Sequence, residues 1–150
     1  MKKLLLAVVA VLMAFGAKAQ IENPVRWSYA AKKVSATEAV VYLKATIDKD
    51  WHIYSQTVKD GGPVKTSFTF SPSKEYTPIG KTIEPAPISK FEKVFGMNVG
   101  YFENSVVFQQ KVKLKSAKAA AVKGKLEYMV CNNSKCLPPE EVEFSIPLGK

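Results

Sequence analysis

Apolar and polar residues alternate with a period of two along most of this chain, a rhythm that suits strands and not helices. Between Glu38 and Ile47, Ala39, Val41, Leu43, Ala45 and Ile47 fall on one side and Val40, Tyr42, Lys44 and Thr46 on the other. Successive side chains of a strand point to opposite faces, so one face here is fit for burial and the other for water. Val25, Trp27 and Tyr29 mark an opening strand, and Val64 to Phe70 sets Val64, Thr66, Phe68 and Phe70 against Lys65, Ser67 and Thr69. Val106 to Lys115 turns Phe108, Val112 and Leu114 inward and Lys111, Lys113 and Lys115 outward. That lysine row reads as a solvated face that discourages edge-to-edge pairing. Ala120 to Cys131 and Glu141 to Leu148 complete the set, with a short strand around Tyr76 to Ile79. Pro72, Pro78, Pro85 and Pro87 forbid a continuous central ladder between them. Ile88 to Asn104 reads as a long loop whose Phe91, Val94, Phe95, Met97, Tyr101 and Phe102 must pack on something. Seven or eight short strands separated by turns, with no convincing helix, predict an all-β, immunoglobulin-like sandwich.

The chain carries its own address. Lys2 and Lys3 precede an apolar run of twelve residues, Leu4 to Phe15, and Ala17-Lys18-Ala19 follows as a small-x-small cleavage site. A membrane-spanning helix needs about 20 apolar residues, so the run reads as an export signal. Residues 1–19 are therefore set apart as a cleaved signal peptide, and 20–150 as one domain delivered to the periplasm. Without Lys2, Lys3 and Lys18 the formal charge falls from +9 to +6. An excess of that size suits solubility and points to no nucleic-acid partner. No second apolar run suggests a membrane span in the mature chain.

Both cysteines lie in Tyr128-Met-Val-Cys131-Asn-Asn-Ser-Lys-Cys136-Leu-Pro138-Pro139, with four residues between them. A disulfide between them requires the chain to fold back on itself, and Asn-Asn-Ser-Lys is turn chemistry: Asn tolerates left-handed angles and Ser can bond its own backbone. Closing so short a loop contributes only about 2 kcal/mol in the chain-entropy picture, little for a staple. Lys135 beside Cys136 favours a thiolate, the form that attacks disulfides. At this level a staple and an exchange-active pair stay equally open. Two cysteines and one histidine leave a four-ligand zinc site short, and no other cofactor is implied. Parity adds a detail. If Val122, Leu126, Tyr128 and Val130 face the core, Met129 and Cys131 face away from it. Pairing Cys131 with Cys136 then sets Val142 against Lys125, apolar against polar. A register shift of one residue is needed, and Leu137-Pro138-Pro139 is the place for it, leaving sulfur near the surface.

The run from Tyr128 through Cys131 and Cys136 to Pro138-Pro139-Glu140 resembles the redox motif of the N-terminal periplasmic domain of the thiol-disulfide interchange protein DsbD. The resemblance implies an immunoglobulin-like fold, in agreement with the strand pattern, and a redox-active Cys131–Cys136 pair at a strand turn. Cys136 would join the partner and Cys131 resolve it. The family's cap loop, which shields the cysteines with an aromatic residue, is matched by Phe91 to Gly96. Phe95 is then the expected shield and Val94 the positional alternative, since the family's aromatic pair before the glycine is here Val94-Phe95. Trp51 to Ser55 resembles the aromatic segment near the cysteines, so Tyr54, His52 and Glu92 are expected to line the site. The implied function is relay of reducing equivalents from a thioredoxin-like domain of a membrane electron-transfer protein to oxidised envelope proteins, among them isomerases or cytochrome maturation factors. This would make the chain a component of a protein-disulfide reductase. Full-length family members continue into a membrane carrier and a thioredoxin-like domain; a chain ending at Lys150 would borrow those parts from separate proteins or have lost that role. The rival is an immunoglobulin-like adhesion module whose disulfide is only structural.

Overall fold

In the computed structural model, residues 22–116 and 118–149 are described. The expected signal segment, residues 1–19, lies outside them. Among the described residues eleven strands occur in the order β1 Val25–Lys33, β2 Glu38–Ile47, β3 His52–Tyr54, β4 Ser67–Phe70, β5 Tyr76–Ile83, β6 Ile88–Glu92, β7 Met97–Glu103, β8 Ser105–Leu114, β9 Ala121–Tyr128, β10 Val130–Cys131 and β11 Glu140–Pro147. They form three antiparallel sheets, ordered β1-β2-β8-β5, β10-β3-β7-β6 and β11-β9-β4. The first packs against the other two, giving the all-β sandwich of immunoglobulin type that the alternation predicts.

The face assigned to burial in β2 is the face buried: Ala39, Val41, Leu43, Ala45 and Ile47 all belong to one apolar core with Phe108, Val112, Leu126 and Tyr128. Rings stack across it, with Phe108 4.9 Å from Phe68 and 6.0 Å from Trp27, and Trp27 5.6 Å from Tyr128. Such aromatic contacts add stability beyond the area they bury.

Several expectations need correction. Strand β8 pairs with β2 on one side and β5 on the other, so Lys111 and Lys113 cover a solvent face of an interior strand and guard no edge. Strand β5 does not stop at Ile79. It bulges between Ile79 and Ile83, where Gly80 adopts φ +67°, and Gln110, buried beneath, ties the irregular backbone together. The Gln110 amide donates to the carbonyls of Ile79 and Lys111 and accepts from Thr82 Oγ1. Pro78 is tolerated because β5 is an edge strand.

The largest correction concerns Ile88 to Asn104. It is not a loop but a β-hairpin, β6 paired with β7 from Ile88↔Tyr101 to Glu92↔Met97, closed by a turn in which Gly96, at φ +64°, donates to the carbonyl of Glu92. Proline density and the aromatic content masked the period of two. Nor do all its apolar residues pack: Val99 and Phe102 are buried, while Phe91 remains 55% exposed and Val94 88%. The strand read as Ala120 to Cys131 breaks at Met129. Its first part, β9, belongs to the sheet with β11 and β4, and its last two residues, β10, cross over to pair with β3. That crossing sets up the cysteines.

Candidate active site

Strand β10 is two residues long, and its two side chains point to opposite sides of the sheet. Val130 joins the main core, as do its cross-strand neighbour Ile53 and, beyond it, Phe102. Cys131 faces the other way, into a second small cluster with Tyr54, Val58 and Val99, against which Met97, Tyr101 and Met129 pack. Parity placed Met129 and Cys131 away from the core, and there they are.

The return from Cys131 to Cys136 is built by one side chain. Asn132 Oδ1 accepts from the backbone N–H of Ser134 and of Lys135, each at 2.8 Å, while Asn132 N–H donates to the carbonyl of Lys135 at 2.9 Å. This is an Asx turn; among the described residues neither Asn132 nor Asn133 takes a positive φ. Cys131 and Cys136 stand opposite each other as an isolated bridge and form the disulfide, with Cα atoms 4.0 Å apart. Below the bridge Leu137 N–H donates to the carbonyl of Val130, and the pairing then slips: Val142 opposes Leu126, not Lys125. The one-residue shift required by the sequence thus falls in Pro138-Pro139. Tyr128 Oη closes the motif by donating to Glu140 Oε2 at 2.7 Å, linking its first residue to its last. Burial, then that bond, raise the Tyr128 phenol's pKa.

The two sulfur-bearing residues differ in access. Cys131 is 2% exposed, whereas Cys136 is open to solvent. The expected position near the surface is taken by Cys136 and not by Cys131. Both line a cleft of about 230 Å³ together with His52, Tyr54, Lys90, Glu92, Val94, Phe95 and the turn Asn132–Lys135. Every residue that the sequence nominated for the site is therefore brought to one cleft. Phe95 sits half-buried in its wall. Val94, on the same wall, is almost wholly exposed.

His52 is the cross-strand partner of Cys131 in β3–β10 and of Glu103 in β3–β7. Its Nε2 lies 3.2 Å from Tyr54 Oη, and its ring is edge-on to Tyr54 and 5.1 Å from that of Tyr101. Burial lowers the imidazole's pKa; Glu92 and Glu103 pull it up, and Lys90 lowers it further. The Tyr54 phenol is pushed up to about 12, chiefly by burial and then by Glu92. Glu92 is itself 3.5 Å from Lys90 Nζ. Lys135, read as a cation for Cys136, shares its charge with Glu22 in an ion pair. The sequence reading missed Lys90. Had residues 88–104 been recognised as a hairpin turning at Gly96, Lys90 would have fallen on the same face as Glu92.

Residues 22–147 match the family model for the N-terminal region of the thiol:disulfide interchange protein DsbD. The chain belongs to the DsbD N-terminal domain family. Among solved structures it is similar to the N-terminal periplasmic domain of ScsB from Proteus mirabilis, at 19% identity and a TM-score of 0.62 over 88% of this chain and 49% of that one. The chain thus spans about half the length of that relative. It is also similar to the Neisseria meningitidis DsbD N-terminal domain in the reduced form, at 18% identity and a TM-score of 0.51 over 79% of this chain and 83% of that one. A third match is to the complex between the DsbD and PilB N-terminal domains of Neisseria meningitidis, at 16% identity and a TM-score of 0.55 over 84% and 87% of the two chains. At these identities the solved structures speak for the fold. No curated protein matches the chain in sequence.

Proposed function

We propose that this DsbD N-terminal-like domain is a thiol-disulfide exchange module of the bacterial periplasm, relaying reducing equivalents through Cys131 and Cys136. The observation that carries this reading is the unequal exposure of two bonded cysteines in one cleft. An inert staple is best protected when both sulfurs are buried; an exchange site needs one sulfur that a visiting thiolate can reach and one that waits behind it. A partner thiolate attacks Cys136 Sγ, the bond to Cys131 breaks, and the electron pair stays on Cys131. A second thiol of the partner then attacks its own mixed disulfide, releases Cys136 and leaves as a disulfide. Run in reverse against an oxidised protein, the same steps deliver the two electrons onward.

The donor in this reading is a thioredoxin-like domain of a membrane electron-transfer protein, and the acceptors are oxidised envelope thiol proteins. Two further facts support it: a relative forms a domain–domain complex with PilB, and the ScsB relative is periplasmic. Phe95 is assigned as the shield over the disulfide because it is the aromatic residue in the cleft wall at the hairpin tip. Val94, which projects into solvent, is the weaker candidate.

The test is a trap. Cys131→Ala expressed in the periplasm of its own host should accumulate a mixed disulfide through Cys136, absent from the Cys131→Ala/Cys136→Ala double variant. The wild-type pair should also have a reduction potential above about −300 mV, the range below which structural disulfides lie. A potential below it, with no trapped adduct, would leave the adhesion-module reading in place.

A further inference from the structure

Cys131 raises a problem that Cys136 does not. Once the disulfide opens, its sulfur is a buried thiol, and burial among apolar groups disfavours the thiolate. Yet Cys131 must become a thiolate to attack Cys136 and discharge a bound partner, and only 2% of its surface is exposed. A proton acceptor inside the cleft is needed. Among the described residues His52 is the one histidine, it lies directly across the strand pair from Cys131, and it lines the same cleft. Directly opposed residues of an antiparallel pair share a face, with Cβ atoms about 4.5–5.5 Å apart.

Resting on the exchange reading above, we infer that His52 is the proton acceptor for Cys131, and that Tyr54 holds the imidazole in the form that can accept. The groups facing His52 are Tyr54 on its own strand, Tyr101 and Glu103 from β7, Lys90 and Glu92 from β6, Cys131 from β10, and Lys135 across the cleft. Burial favours the neutral ring, the form that carries a free lone pair. With Nε2–H donating to Tyr54 Oη, 3.2 Å away, Nδ1 is the nitrogen that keeps its lone pair and can accept. Glu92 and Glu103 are near enough to stabilise the imidazolium once it forms.

The step balances. His52 takes the proton of the Cys131 thiol; the thiolate attacks Cys136 Sγ, and the Cys131–Cys136 bond forms as the Cys136–partner bond breaks. The electron pair leaves on the partner's sulfur, which is protonated from the imidazolium, restoring neutral His52. In the reverse direction His52 returns the proton to Cys131.

Dithiodipyridine separates the two sulfurs. Mixed with the reduced domain, it releases one thiopyridone when Cys136 attacks and a second when Cys131 resolves the adduct. His52→Gln should slow the second release at least about tenfold near pH 7 and leave the first within about twofold. The deficit should shrink as pH rises beyond the free-thiol value of about 8.5, because hydroxide then increasingly takes the proton in place of the imidazole. His52→Phe, which retains a ring in the site, should behave alike. An unchanged second phase, a slowing equal at every pH, or a loss seen in Glu92→Gln and not in His52→Gln would overturn the assignment. Absence of any first phase in the wild type would instead overturn the exchange reading itself.

Discussion

Strands β3, β7 and β10 serve two clusters that differ in kind. On their inner side Ile53, Phe102 and Val130 join a core drawn from all three sheets, closed by Trp27, Phe68, Phe108 and Tyr128. On their outer side, alternate residues of the same strands, Tyr54, Val99 and Cys131, form a much smaller cluster with Val58. The inner cluster is almost all hydrocarbon. The outer one is interleaved with a histidine, two tyrosine hydroxyls and the Lys90–Glu92 pair, and one of its walls is a hairpin tip. Stability and chemistry are thus separated by the thickness of one sheet, and the pleat performs the separation.

If that division holds, inner and outer substitutions should have different consequences. Phe108→Ala, at a position with no exposure, should cost about 3–5 kcal/mol in a denaturant titration, enough to unfold much of the population. Reducing the disulfide should cost no more than about 2 kcal/mol, because the loop it closes is short. A larger loss would mean that the outer cluster also holds the fold together. Phe95→Ala should change stability by less than about 1 kcal/mol, yet quicken reduction by dithiothreitol. Equal reduction rates in variant and wild type would remove Phe95 from the shield.

The smallest effect is in pH. Burial holds the His52 pKa below its unfolded value, so the unfolded chain binds the extra proton first. Its contribution to stability is complete above the unfolded pKa of about 6.5 and declines as pH falls through that value toward the folded one. His52→Gln should flatten that acid slope in thermal unfolding measured from about pH 7 to pH 5. At the alkaline end the sign reverses for Tyr54, whose raised pKa makes stability fall as pH climbs from about 10 toward 12. Tyr54→Phe should lessen that decline, leaving the share contributed by the raised phenol of Tyr128.

Reading the sequence went furthest where the period of two ran uninterrupted. The buried faces of β2, β8 and β11 and the outward parity of Cys131 all follow from alternation, and even the slip at Pro138-Pro139 could be reasoned from matching Val142 to an apolar partner. It went wrong where other signals overlay the period. Prolines and aromatics between Pro85 and Asn104 hid a hairpin. The bulge in β5 depends on Gln110, thirty residues downstream, whose amide shows no local sign of what it ties. The turn at the cysteines was placed correctly but explained by the wrong device, since Asn132's side chain and not a left-handed backbone makes it.

By itself, then, the sequence determined the all-β class, the inward faces and the pairing of its two cysteines, because each depends on residues adjacent in the chain or on a period they repeat. The access of each sulfur, the histidine across from Cys131 and the cleft between the hairpin tip and the Asx turn were decided only in three dimensions. They arise where β9 leaves one sheet and β10 enters another, bringing together β3, β6 and the cysteine turn. Which strands become neighbours is a property of the sheets, and no local pattern encodes it.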